Sequence, residues 1–153
     1  MTSGIEQLAK DVLSAGRKGL FRSKPLFKLY ASVSTGELAE VEQVIGNSLP
    51  VDLRDWLTLL GYGDLDEVLS FRKEWFANIQ TGPLKGSAIF AQDILGNFYA
   101  FDSSDQIYFL SRSEAVFVMI SKNFLEFIEE VVRRDYKLIE WVSALKGQKY
   151  GQV

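Results

Sequence analysis

The segment Leu49-Pro50-x-x-Leu53-x-x-Trp56-Leu57, closed by Gly61-Tyr62-Gly63, dictates a helix with one apolar side in the middle of this chain. Leu53, Trp56, Leu57 and Leu60 recur at i, i+3, i+4 and i+7, a single stripe of a 3.6-residue helix. Pro50 stands where a first helical turn tolerates proline, because the missing N–H would be unpaired there anyway. Asp52 and Asp55 fall in the first turns, where the helix dipole favours negative charge. Gly61 and Gly63 read as the stop, since no lysine follows and no strand precedes them to make a phosphate loop. Further on, Phe90-Ala91-x-Asp93-x-x-Gly96-Asn97-Phe98-x-x-Phe101-Asp102 reads as a β-hairpin turning on Gly96-Asn97, residues that tolerate positive φ.

The flanks extend this pattern. Ser3-x-x-Glu6 and Ser34-x-x-Glu37 are capping boxes, each followed by apolar residues at helical spacing. They predict a helix over 4–15 and another from Ser34 to a left-handed stop at Gly46. Residues 16–33 read as a basic connector, with Pro25 opposing a helix through its middle. Strands are expected at 68–71, 87–92, 98–102, 107–110 and, short and buried, at 116–119. Trp75, Phe76 and Ile79 fall in a connecting segment or helical turn. Ser121 is expected to cap a run to Lys146 that forms one long helix or two abutting ones. The tail from Gly147 has little to bury and is expected to be mobile. The sum is one α+β domain over 1–153: an antiparallel-rich sheet of about five to six strands packed with N-terminal and C-terminal helices.

Composition narrows the chemistry. At 153 residues with 47% apolar content the chain can bury a core without staples. It has no cysteine, hence no disulfide, thiolate zinc site or cysteine nucleophile. It also has no histidine, which removes the usual general base and the commonest zinc ligand. No cofactor or metal is expected, and catalysis would fall to carboxylates and lysines alone. The first positive charge, Lys10, follows Ile5 and Leu8, the wrong order for a secretion signal. The longest apolar run, 115–120, is far short of the ~18 residues a membrane span needs. A cytoplasmic protein with no membrane partner is the expectation.

The net charge of −3 hides an uneven distribution. Residues 1–30 carry six basic residues against Glu6 and Asp11, whereas residues 37–67 carry eight acids and only Arg54. The basic stretch is short and interleaved with Leu and Phe, so no nucleic-acid binding is expected. The acidic stretch is either a solvated face with helix-start carboxylates or a surface for a basic partner. Asp52, Asp55, Asp64, Asp66 and Glu67 are its candidate contacts. Trp56 and Trp141 lie on apolar stripes and belong to the core. Trp75, between Glu74 and Phe76 and outside any period, is the tryptophan expected at the surface, where this residue type anchors interfaces. Asp93, Asp102 and Asp105 could form a carboxylate cluster, but their spacing resembles no calcium loop and aspartate is a turn former.

The order of these motifs resembles the SUKH superfamily, the domain of bacterial immunity proteins related to fungal cell-wall synthesis regulators. The resemblance rests on Val44-Ile45-Gly46, the Leu49-to-Leu57 helix entry with Gly61-Tyr62-Gly63, the Phe90-to-Asp102 hairpin, and Ile120-Ser121-x-x-Phe124-x-x-Phe127-Ile128. It covers roughly residues 37–132. Where members of this superfamily often carry Asn-Gly after the first helix pair, this chain has Tyr62-Gly63. The resemblance implies a domain that neutralises a toxin, often a nuclease or deaminase encoded beside it, with no shared catalytic residues. Other members are regulatory scaffolds. A monomer or weak homodimer that occludes a basic toxin is therefore the leading expectation. An intracellular scaffold is the alternative.

Overall fold

In a computed structural model, which describes residues 4–18, 23–114, 116–145 and 148–149, the central stripe is buried as the sequence requires. Leu53, Trp56 and Leu57 have no exposed surface. The elements in chain order begin with α1 (Gly4–Ser14), the small hairpin β1 (Gly16–Lys18) and β2 (Ser23–Pro25), and β3 (Phe27–Ala31). Next come α2 (Thr35–Ile45), α3 (Val51–Leu60), β4 (Tyr62–Leu65) and β5 (Leu69–Phe71). A 3-10 turn (Lys73–Trp75) leads to β6 (Ala77–Asn78), then β7 (Ala88–Asp93), β8 (Phe98–Phe101), β9 (Ile107–Leu110) and β10 (Val116–Ser121). Finally α4 (Phe124–Arg133), α5 (Leu138–Ser143) and β11 (Gln148–Lys149) close the chain.

The α+β class stands, with a larger sheet than expected. Among the described residues nine strands run in the order β11-β10-β9-β8-β7-β5-β4-β3, with β6 on β7, and every pairing is antiparallel. Helices α1, α3 and α4 pack on one another and on one face. That face is aromatic: Trp56 meets Phe71 and Phe124 at ring separations of 5.9 and 5.8 Å, and Tyr99 meets Phe127 at 5.6 Å. Such pairs each contribute about 0.5–1.5 kcal/mol beyond the area they bury. On the other face one row crosses the sheet in register: Lys28, Asp64, Ser70, Gln92, Phe98, Leu110, Phe117. Its apolar half packs with Leu84 and Ala100 into a second, smaller core. The meander is thus covered on both faces, with Phe98 on one and Tyr99 and Phe101 on the other.

Several local expectations are corrected. Residues 16–33 are no connector: they hold the small hairpin and β3, the edge strand of the main sheet. Gly63 is not part of the helix stop. It lies in β4, where a Cβ would come within 2.2 Å of the Lys28 carbonyl and 2.8 Å of the Phe27 ring, so only glycine fits beside the edge strand. The β7–β8 turn places Gly96 alone at positive φ (86°), and Asn97 stays in ordinary space. Strand β10 is not buried as a unit: Phe117 is buried, Met119 is exposed. Asn123, not Ser121, caps α4, its side chain accepting from the Glu126 amide at 2.8 Å. Of the two helices allowed after Ser121, the break falls at Asp135 and Tyr136, both at positive φ. Ser34 caps α2 as expected, accepting from the Glu37 amide at 3.2 Å. Ser3 and its capping box lie outside the described residues. In the tail, Gln148 and Lys149 pair with Phe117 and Val116.

Candidate partner-binding surface

The acidic stretch is continuous in sequence and divided in space. Asp52 and Asp55 ride the first turns of α3, both half-buried. Besides Asp55, the charge that reaches Asp52 comes not from another part of the stretch but from Asp105, in the β8–β9 turn. Burial raises the Asp52 pKa, and the charges of Asp55 and Asp105 raise it further. Burial and then Asp102 raise that of Asp105 in the same way. Desolvation and like charge both penalise the ionised carboxylate. Arg54, the stretch's only cation, is engaged elsewhere: it donates to Glu42 at 2.6 Å, while the same Glu42 oxygen accepts from the Leu49 amide at 2.7 Å. That bond ties α3 to α2 and leaves Asp52, Asp55 and Asp105 without an ion pair among the described residues.

Asp64 stands apart on the outer sheet face. Tyr30 and Ser70 both donate to its carboxylate, and Lys28 lies opposite it in the ladder. The hydrogen bond to Asp64 is the first cause of a raised Tyr30 pKa. Arg72 covers the Tyr30 ring at 4.4 Å and the Trp75 ring at 5.3 Å. Trp75 is accordingly half-buried, more open than Trp56 or Trp141 but held by a stacked guanidinium.

Asp66 and Glu67 occupy the β4–β5 turn, at the opposite end of the sheet from Asp105. Both adopt positive φ (48° and 61°), and the Asp66 amide donates to the Leu26 carbonyl at 2.7 Å. The turn is stitched to the next hairpin by the Ile94 amide, which donates to the Val68 carbonyl at 3.1 Å. There Ile94 and Leu95 stand 64% and 59% exposed. This aliphatic pair went unseen in the sequence; its signal was apolar residues at turn positions that polar ones normally hold.

Asp93 and Asp102 serve their turns. Asp93 is buried and accepts from the Leu95 and Asn97 amides (both 3.0 Å), the Asn97 side chain and the Tyr99 hydroxyl (2.8 Å). Asp102 accepts from the Ser104 and Gln106 amides and the Tyr108 hydroxyl. They sit at opposite ends of β8, so no three-aspartate cluster forms. Among the described residues no group of three or more carboxylates is arranged to hold a metal ion. No helix among them is long and apolar enough to cross a membrane.

The family model of the SMI1 / KNR4 family (SUKH-1) matches residues 32–130, from the approach to α2 into α4. No curated protein and no solved structure matches the chain.

Proposed function

The chain belongs to the SMI1 / KNR4 family (SUKH-1), and from that premise we propose that it is an immunity-type binding protein. It complexes a basic toxin of nuclease or deaminase class in the cytoplasm of its producer and occludes the toxin's active site, without catalysing a reaction of its own. The observation that carries this reading is the trio Asp52, Asp55 and Asp105, whose charges meet at the half-buried Asp52 with no ion pair among the described residues. Like charges held together by a fold gain most when a positive surface arrives. A nuclease site is such a surface, because it must hold phosphates. The absence of histidine and cysteine also supports binding over bond-making.

The test is co-expression with the product of the neighbouring gene, then co-purification at low and high salt. Protection and a salt-labile complex are expected. Reversing Asp52 and Asp55 to lysine should weaken association about tenfold or more while the unfolding midpoint stays near wild type. Undiminished protection by that variant would count against this surface. Reversal at Asp64 is a poorer probe, since Tyr30 and Ser70 depend on its carboxylate. The family also takes its name from SMI1 and KNR4, which favours a second reading, a regulatory scaffold. A neighbouring gene with no toxic product, and capture of a cellular protein abolished by the same reversal, would move the assignment there.

A further inference from the structure

A cavity of about 250 Å³ opens between the end of β3, the start of α2 and the 3-10 turn, lined by Tyr30, Tyr62, Glu37, Glu74, Arg72 and Lys73. It is smaller than the roughly 300–1,000 Å³ of small-molecule sites and suits one side chain. Tyr62 is 5% exposed, yet its hydroxyl has no hydrogen-bond partner among the described residues. A buried unsatisfied hydroxyl costs about 1–3 kcal/mol and calls for a reason. The charges that reach this hydroxyl are those of Glu37 and Glu74, which add to burial in pushing the Tyr62 pKa up to about 12.

The two cations in the wall are already engaged. Arg72 lies over the Tyr30 and Trp75 rings, and Lys73 pairs with Glu40 at 3.8 Å. Among the described residues the Glu37 carboxylate has only a 3.3 Å contact from the Ser34 hydroxyl of its own cap, and Glu74 pairs with none. The cavity therefore combines two under-compensated carboxylates, an unmatched hydroxyl and an aromatic wall.

We propose that this cavity receives an arginine side chain of the protein partner, its guanidinium donating to Glu74, Glu37 and the Tyr62 hydroxyl. The assignment rests on the binding role proposed above. Arginine fits better than lysine because its five donors lie in one plane and can reach several acceptors at once, while the same plane stacks on tyrosine.

The test titrates the free protein with Nα-acetyl-arginine N-methylamide, followed by NMR, with the citrulline analogue as neutral isostere. Saturable shifts confined to the residues lining the cavity, Tyr30 and Tyr62 among them, are expected, with a Kd of roughly 1–10 mM, weak as befits one side chain. Citrulline should bind at least about tenfold more weakly, and Glu74→Gln and Tyr62→Phe should each weaken the arginine analogue several-fold. Tyr62→Phe removes only an unsatisfied group, so its fold should be retained. Absence of a saturable local response, or equal binding of citrulline, would overturn the assignment. Protection against the neighbouring gene product separates the two proposals. If both variants protect as well as wild type, the arginine pocket falls and the binding role stands. If the analogue binds but the chain neither captures nor silences that product, the binding role falls and the pocket stands.

Discussion

Asp93 is the single side chain on which the β7–β8 hairpin depends most. Its carboxylate gathers two turn amides, the Asn97 side chain and the Tyr99 hydroxyl in a buried site. Asp93→Asn would set an NH2 group against donors and remove the charge that strengthens these bonds. A loss of about 2–4 kcal/mol is expected, read from urea unfolding. Asp105→Asn should act in the opposite direction. Asp105 sits at φ 63°, which asparagine tolerates, and its pKa is raised by burial and by Asp102. A raised carboxyl pKa means the folded state holds its proton to higher pH, so stability falls as pH climbs from the ordinary 3.8 through the folded value. The variant should therefore gain a few tenths of a kcal/mol at pH 7, after solvent screening, and nothing at pH 3. Equal thermal shifts at both pH values would refute that account. Asp93 could be read from the sequence because its partners are local. Gly63 could not, because the ring that leaves it no room, Phe27, belongs to a strand that the basic composition of 16–33 concealed.

Elements show the same division between local and distant causes. The α3 stripe and the strands of the meander follow from periodicity, and each appears where the pattern puts it. Edge pieces carry no such signal. β3 is largely exposed, β6 and β11 have two residues each, and all three become strands only by pairing with a neighbour. Helix starts are ambiguous where two capping residues stand close together. Ser121 and Asn123 both qualify, and the structure chooses Asn123, while the Ser121 hydroxyl donates to the Asn123 carbonyl at 2.9 Å. Asn123→Ala should cost about 1 kcal/mol, measurable by thermal unfolding. At the other end of α4, Glu130 accepts from Arg133 and Arg134, and these bonds hold its pKa down to about 2. A lowered carboxyl pKa contributes stability that is present above the ordinary 4.5 and lost as pH falls toward 2. Glu130→Gln should lower the melting temperature at pH 6, with the difference from wild type closing by pH 2. A constant difference across that window would show that the pairs contribute nothing through ionisation.

For the whole molecule, the question is which of its acidic ends meets a partner. Sequence adjacency suggested one patch, but α3 and the β4–β5 turn deliver their carboxylates to opposite ends of the sheet, a consequence of topology that no local pattern encodes. Strand β8 alone, four residues at ~3.3 Å each, separates the ends by about 13 Å. That exceeds the Debye length of ~8 Å at physiological salt, so the ends act on an approaching protein nearly independently. The end built from Asp52, Asp55 and Asp105 brings three carboxylates together with no ion pair among the described residues, whereas Asp66 and Glu67 lie in the turn stitched to the exposed aliphatic pair Ile94 and Leu95. If the first end steers association, Asp52→Lys with Asp55→Lys should lower the association rate and flatten its dependence on ionic strength. Asp66→Lys with Glu67→Lys should leave that slope unchanged. Stopped-flow binding to the neighbouring gene product across 20–300 mM salt distinguishes the cases: equal flattening by both pairs would mean that the partner spans the sheet from end to end, and flattening by the second pair alone would transfer the docking site to the Ile94–Leu95 end.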